Sequence, residues 1–564
     1  MALSVGNIGI GNISDPSVGK TPLSEITLGQ NIIWEKPDPY VPGTMILTIE
    51  TTEPNQKVNL GYNLGRWQNT DKAAKKIPHY GTVDWGDDSE EYEFDGKEGI
   101  KEEDNPLVHI YTVPNTYEIT IKGVVKWDFA SQYSIQANTI CQVLKHIKIP
   151  EEEISPIYYI NEHAFAYCEL LETIDARMFE NCTEVTNFTS CFYWCTSLNT
   201  LPKGLFDKCT QITSLQNCFR MTKISKIPEG LFDNCIQLTN LTRCFENVKI
   251  TEIPPTIFEV CGPHLINLPG CFSRCPITKI PDGLLDQCVN VTTMGTEIGC
   301  FEGTQITEIP PNLFDNCIKV TKFNHCFCNT KITEIPPNLF SKCLNLVEIG
   351  GCFEQCPITS IPADLFKNNT KIVSVSYSSC DGLFAETQIT EIPEGLFDTL
   401  TEVTDFAAVF YNCSKLQTIP KDLFRNNTKV TKFGSNFYGC FQSCPITEIP
   451  EGLFDNCPLV TNFDKCFNDT KITNIPEHLF DNCTKVTSFN SCFNYCSSLT
   501  SIPKDLFANN NAVTNFNNTF NYCSKVEGEL PELWTTHHDV TNHTKCFYNC
   551  TNASNYDQVP EDWR

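Results

Sequence analysis

Cysteine is absent from this 564-residue chain until Cys141, the first of 32. Basic charge is also short: 41 Lys and Arg against 68 Asp and Glu leave a formal net charge of −27. A surface that grips phosphate backbones needs a basic stripe, so nucleic acid is excluded as a principal partner. Nowhere do eighteen apolar residues run together, which excludes a membrane-spanning helix and leads us to expect no membrane insertion. Met1-Ala2-Leu3-Ser4-Val5-Gly6 has neither a basic residue nor a long apolar stretch, so no secretory signal is expected there. The catalytic motifs GxSxG, HExxH and the P-loop are missing, and no GxGxxG lies between a strand and a helix. We therefore expect no enzyme, no catalytic residues, no cofactor and no metal.

What is present is a repeat. One unit reads Ile472-Thr473-Asn474-Ile475-Pro476, then Leu479-Phe480-Asp481-Asn482-Cys483, then Val486-Thr487-Ser488-Phe489, then Cys492-Phe493. Its marker proline recurs from Pro202 to Pro531 in steps of 26 or 27 residues, lengthened to 29 before Pro310, 31 before Pro393, 30 before Pro450 and 28 before Pro531. A fixed period of this size means a solenoid. The β-branched stretches should be short strands stacked in parallel on the next coil, and the proline should end each ladder because it has no N–H to donate. Leu-Phe-x-x-Cys should then form about one helical turn, with its apolar residues on one side. We expect Phe206, Phe232, Phe314, Phe340, Phe454 and Phe480 in the core with Cys209, Cys235, Cys317, Cys343, Cys457 and Cys483. Asn369, Asn427 and Asn510 stand in that cysteine column. An obligate disulfide or zinc ligand does not alternate with Asn, so the cysteines are expected to be mostly free, buried thiols. Acids such as Asp207, Asp233 and Asp455 recur in one column after Phe, which marks a solvated face rather than a carboxylate pair for catalysis.

These repeats resemble BspA-type leucine-rich repeats of bacterial and phage surface proteins. The resemblance implies a mainly β fold with short helical turns: a right-handed solenoid of about 14 coils over residues 169–564. Before it, Val83-Asp84-Trp85-Gly86-Asp87-Asp88-Ser89, His109-Ile110-Tyr111 and Pro114-Asn115-Thr116-Tyr117 resemble the W-G-D-G, H-x-Y and P-G-x-Y signals of the PKD-type β-sandwich. That places a small sandwich at 44–125, with residues 126–168 as connector and solenoid N-cap. Asp88 and Asn115 replace the glycines of that pattern, and Asp84, Asp87 and Asp88 read better as turn formers than as a Ca²⁺ site. Residues 1–43 form an arm and linker whose Gly-punctuated strands carry too little apolar mass to fold alone and should pair with a partner chain. Its Leu28-Gly29…Ile33-Trp34-Glu35-Lys36-Pro37 is similar to the opening segment of tailed-phage structural proteins.

Together these features suggest a non-enzymatic fibre or decoration protein on the virion surface, docked through the arm to other virion structural proteins. It would be a homo-oligomer on the particle and would bind a host-surface glycan or protein through the solenoid. A bacterial cell-surface adhesin is the alternative. The extra residues of the three longest repeats fall at one phase, between the second strand and the following Phe, where insertions emerge on one face. In those loops Thr296, Glu297, Tyr377, Asp381, Asn436 and Tyr438 are the candidate receptor contacts, with tyrosines to stack on sugar rings and Asp and Asn to bond hydroxyls.

Overall fold

The computed structural model describes residues 40–60, 77–95, 107–127, 139–378 and 380–564, together with the backbone of four short strands nearer the N-terminus. Those strands are β1 (Ser17–Val18), β2 (Thr21–Pro22), β3 (Glu25–Leu28) and β4 (Asn31–Glu35). They pair antiparallel with each other, β1 with β2 and β3 with β4.

Beyond the arm lie β5 (Gly43–Glu50), β6 (Gln56–Asn59), β7 (Tyr80–Asp84), β8 (Tyr92–Asp95), β9 (Val108–Tyr111), β10 (Thr116–Trp127), β11 (Leu144–Lys148) and β12 (Ile157–Ile160). One sheet runs β11-β5-β10-β7-β8, with β12 added parallel to the end of β10, while β6 and β9 pair separately. Alternation explains the packing: Met45, Leu47 and Ile49 of β5 and Ile119 and Ile121 of β10 point inward and are buried with Val58 and Tyr111 of the small sheet. The Tyr111 hydroxyl donates to the Trp85 carbonyl at 2.7 Å, and the His109 ring stacks on Trp85. The aspartates shape the turn between β7 and β8. Asp84 Oδ1 accepts the Gly86 N–H at 2.9 Å, Asp87 lies 2.6 Å from His109 Nε2, and Asp88 adopts φ 62°. Within 126–168, β11 and β12 complete the sheet and Phe165 begins the solenoid stack.

The solenoid is held by columns of identical residues. The phenylalanines after the second cysteine stack from Phe165 to Phe547, ring centroids 5.4 to 6.1 Å apart and planes within 14° of parallel. Neighbouring strands lie about 4.8 Å apart, so the longer centroid distances describe offset stacks, the arrangement that aromatic quadrupoles favour. Trp127 of β10 stacks under Phe165 at 5.1 Å, and Trp563 covers Phe547 at 6.5 Å. Each end of the ladder is thus closed by an indole. All twelve core residues expected from the repeat, Phe206 and Cys209 through Phe480 and Cys483, are buried.

Two details differ from the sequence expectation. Strand pairing between coils is reduced to about one residue per coil, and only in the second half of the unit, as in the parallel series Asp405–Lys432–Asn462–Ser488–Asn515–Asn542. The Ile-Thr-x-Ile half makes single cross-coil bonds, such as Lys471 N–H to Ile446 at 2.9 Å, because the proline that follows cannot extend a ladder. The Leu-Phe-x-x-Cys stretch is also a succession of tight turns rather than one α-helical turn. Asp207 N–H bonds the Gly204 carbonyl, and Cys209 N–H bonds that of Phe206, three residues back each time. In most coils the segment around Cys-Phe then passes through the left-handed region twice, usually at non-glycine residues such as Asn217, Met221, His325 and Asn329. Closing a coil in some 26 residues demands these reversals, and α-helix cannot supply them.

The interchange of Cys and Asn has a hydrogen-bonding cause. Asn369 Nδ2 donates to the Phe340 and Cys343 carbonyls of the previous coil at 3.1 and 2.9 Å, and Asn427 and Asn510 repeat the pattern. Cys209 Sγ points at the equivalent Phe179 carbonyl at 3.4 Å. Where Leu400 occupies the column, the Thr399 hydroxyl takes over and donates to Phe366 at 2.8 Å. The amide leaves its buried Oδ1 unpaired, a cost that a thiol avoids. Asn369→Ala should therefore destabilise by about 1–3 kcal/mol, whereas Asn369→Cys should change stability by under about 1 kcal/mol. Urea unfolding of the two variants checks the order; equal losses would refute this account.

Candidate functional site

All three insertions fold as small antiparallel hairpins. Gly295 bridges Gly299, β15 (Ser376–Tyr377) pairs with β16 (Asp381–Gly382), and Gly434 bridges Gly439; two earlier short strands, β13 (Thr293–Gly295) and β14 (Lys322–Phe323), pair in parallel beside the first. They emerge beside the two left-handed columns, whose side chains form one edge of the solenoid.

The first two insertions meet through a histidine supplied by a coil between them. His325 is nearly buried; its Nδ1 lies 3.0 Å from the Thr296 carbonyl and its Nε2 lies 3.2 Å from Asp381 Oδ2. Tyr377 packs edge-on against the imidazole, centroids 4.9 Å apart. Glu354 belongs to the same group, and Cys328 Sγ is 3.9 Å from its Oε2. Burial and the nearby Asp381 push the Glu354 pKa up to about 8, against the opposing pull of His325. Burial pulls the His325 pKa down, but the Asp381 carboxylate and the Thr296 carbonyl outweigh it, so the pKa is raised. Glu297 projects outward, 3.7 Å from Arg243.

Charge along this edge changes from balanced to unbalanced. Buried Glu246 is held by Arg220, Arg243 and Arg274, and Arg274 reaches on to Glu302 at 3.3 Å. Past Glu302 the arginines stop: Glu354 and Asp381 gather at His325, and Glu386 adds its charge beside Glu354.

The third hairpin stands apart from that group. Tyr438 lies against Tyr411, centroids 4.2 Å apart, and Lys465 Nζ caps the Asn436 and Phe437 carbonyls. Phe437, which the sequence reading passed over, is the exposed ring here, at 61%. Tyr377 and Tyr438, expected to stack on sugar rings, each pack against a neighbouring ring of the protein. Farther along, Tyr495 and Tyr522 stack at 4.8 Å with planes 5° apart, and Tyr548 follows at 5.5 Å; all three are exposed. A separate apolar ridge, Ile236, Val289, Ile318 and Leu344, lies exposed in the position after the first cysteine of four coils.

His325, Glu354 and the tyrosine run escaped the sequence reading because each is ordinary in its own repeat. Alignment into columns carries the signal: Cys328 is a cysteine outside every cysteine column, and Tyr495 and Tyr522 share one repeat position in consecutive coils, with Tyr548 one position earlier in the next.

A family model described as a BspA-type leucine-rich repeat region matches residues 135–431 in overlapping copies, and one described as a Mycoplasma protein of unknown function, DUF285, matches residues 454–563. No curated protein matches. Solved structures that are similar include a TLR13–ssRNA13 complex, with 12% identity over 67% of this chain and 54% of that one, TM-score 0.45. The Drosophila Toll–Spatzle complex gives 15% identity over 66% and 51%, TM-score 0.43. The functional domain of InlJ from Listeria monocytogenes, which includes a cysteine ladder, gives 16% over 56% and 64%, TM-score 0.32. The chain spans about half the length of the first two. Among the described residues no helix is long and apolar enough to cross a membrane. With its repeats matched over more than half its length, the chain belongs to the BspA-type leucine-rich-repeat family.

Proposed function

We propose that this chain is a non-enzymatic adhesion protein displayed on a phage particle, which binds a host-surface glycan through one edge of its solenoid. In this reading the arm docks to other virion proteins, the PKD-like sandwich at 44–125 is a spacer, and several copies stand together on the particle. The observation that carries the binding reading is the set of exposed aromatic rings: Phe437 on the third hairpin, and Tyr495, Tyr522 and Tyr548 in a run across three coils. Flat rings spaced by the coil rise suit the apolar faces of successive sugars, and the acidic and amide side chains between them suit hydroxyl groups.

Phe437→Ala combined with Tyr495→Ala and Tyr522→Ala should lower attachment to host cells at least about tenfold, as loss of several anchors does. Thermal unfolding should shift little, because these rings are exposed. Undiminished attachment would turn attention to the apolar ridge at Ile236 and Ile318. A bacterial cell-surface adhesin would use the same edge, and the family match supports it equally. Mass spectrometry separates the two: recovery with purified particles supports phage display, and recovery only with the cell envelope supports the adhesin.

A further inference from the structure

The environment of His325 contains a conflict that an added proton or a bound cation resolves. Its Nδ1 faces the Thr296 carbonyl, which can only accept, so Nδ1 must carry the hydrogen. In the neutral ring Nε2 is then a bare lone pair, yet it points at another acceptor, Asp381 Oδ2, 3.2 Å away. Glu354 adds a third acceptor, with one ligand atom from each residue lying within 4.8 Å of the other two. Among the described residues no lysine or arginine pairs with either carboxylate, and Glu302 and Glu386 add further negative charge.

We propose that His325, Glu354 and Asp381 bind a divalent first-row transition-metal ion, with Zn²⁺ as the reference case and the Cys328 thiol, 3.9 Å from Glu354 Oε2, drawn in as a fourth donor. An imidazole whose other nitrogen is fixed by a backbone carbonyl is the usual support of a metal-binding histidine. One imidazole, two carboxylates and a thiol favour Zn²⁺ or its neighbours over Ca²⁺ and Mg²⁺, which take oxygen. An ion placed among three atoms spaced at most 4.8 Å apart lies at most about 2.8 Å from each; a contraction of no more than about 0.7 Å reaches the ~2.0–2.2 Å of Zn–N and Zn–O bonds. Space is kept for it. Gly351 has φ +64°, and a Cβ there would stand 2.8 Å from His325 Nε2. Because Asp381 sits on the β15–β16 hairpin and Thr296 on the first insertion, the ion would fasten two insertions to the two coils between them. The site is independent of the glycan reading, which rests on other residues.

The test uses the full chain, stripped with chelator and kept reduced with a phosphine at pH 7.5, titrated with Zn²⁺ and Co²⁺ by calorimetry and metal analysis. One ion per chain should bind at micromolar Kd or tighter. Asp381→Asn and His325→Gln should each weaken binding at least about tenfold, and saturating Zn²⁺ should raise the melting temperature of the parent only. Bound Co²⁺ should show a near-ultraviolet thiolate band that Cys328→Ser removes; an unchanged spectrum would overturn the place of Cys328 as a donor. Absence of stoichiometric binding, or equal binding by the Asp381→Asn variant, whose change is on a surface hairpin, would overturn the site. Circular dichroism of each variant guards against misreading an unfolded protein.

Discussion

In the folded, metal-free protein, a soluble thiol reagent should modify only one or two of the 32 cysteines within minutes, and all of them once the chain is unfolded. All except Cys328 and Cys380 are buried, and none is paired in a disulfide. The buried thiols act as hydrogen-bond donors: Cys275, Cys356 and Cys444 point at Phe carbonyls of the preceding coil at 2.9 to 3.0 Å. A donor must keep its proton, and burial enforces this by raising the thiol pKa, to about 12 at Cys275 and about 11 at Cys356. Thiolate is the reactive form, so these groups are withheld both by access and by ionisation. Their modification requires opening of the coil, and should run at least about a thousandfold slower than that of Cys380 given a stability of several kcal/mol. Alkylation in denaturant without reductant, followed by mass measurement, should find fewer than about ten disulfides. Rapid native labelling of ten or more sites would refute the donor role.

The second large effect concerns the start of the solenoid. Trp127→Ala should destabilise the protein by about 3–5 kcal/mol, as removal of a fully buried indole does. A chain beginning at Glu169 should be insoluble or molten, while one beginning at Val41 should fold like the parent. Each coil buries its Phe against the next, so an uncapped end presents a stack of rings to water. Trp127, Phe165 and the paired β10 and β12 close that end. Val41 lies outside the packed sheet and is exposed, although its N–H and carbonyl bond the Tyr158 hydroxyl, so it is a conservative point to cut. Size-exclusion chromatography and thermal unfolding of the three chains decide it. A soluble, cooperatively unfolding chain from Glu169 would show that the sheet is not needed as a cap.

The reach of the sequence was long where the repeat enforced identity and short where single side chains differed. The period, the columns of Phe and Cys, and the phase of the three insertions are visible in the letters because every coil must bury the same residues against its neighbours. The Cys–Asn alternation even pointed to free, buried thiols rather than disulfides or zinc ligands. The left-handed residues were not visible, since Asn, Met, His, Arg and Tyr all serve there and the strain is offset by hydrogen bonds to the adjacent coil. The meeting of His325, Glu354 and Asp381 was invisible for a further reason. Their separation along the chain is set by the coil length and by the shape of one hairpin, and no local propensity encodes either. Repetition, by itself, determined a mainly β solenoid with a shared core of rings and thiols. Tertiary structure alone decided which side chains meet across coils, because stacking brings residues some 26 positions apart within bonding distance and cancels the sequence distance between them.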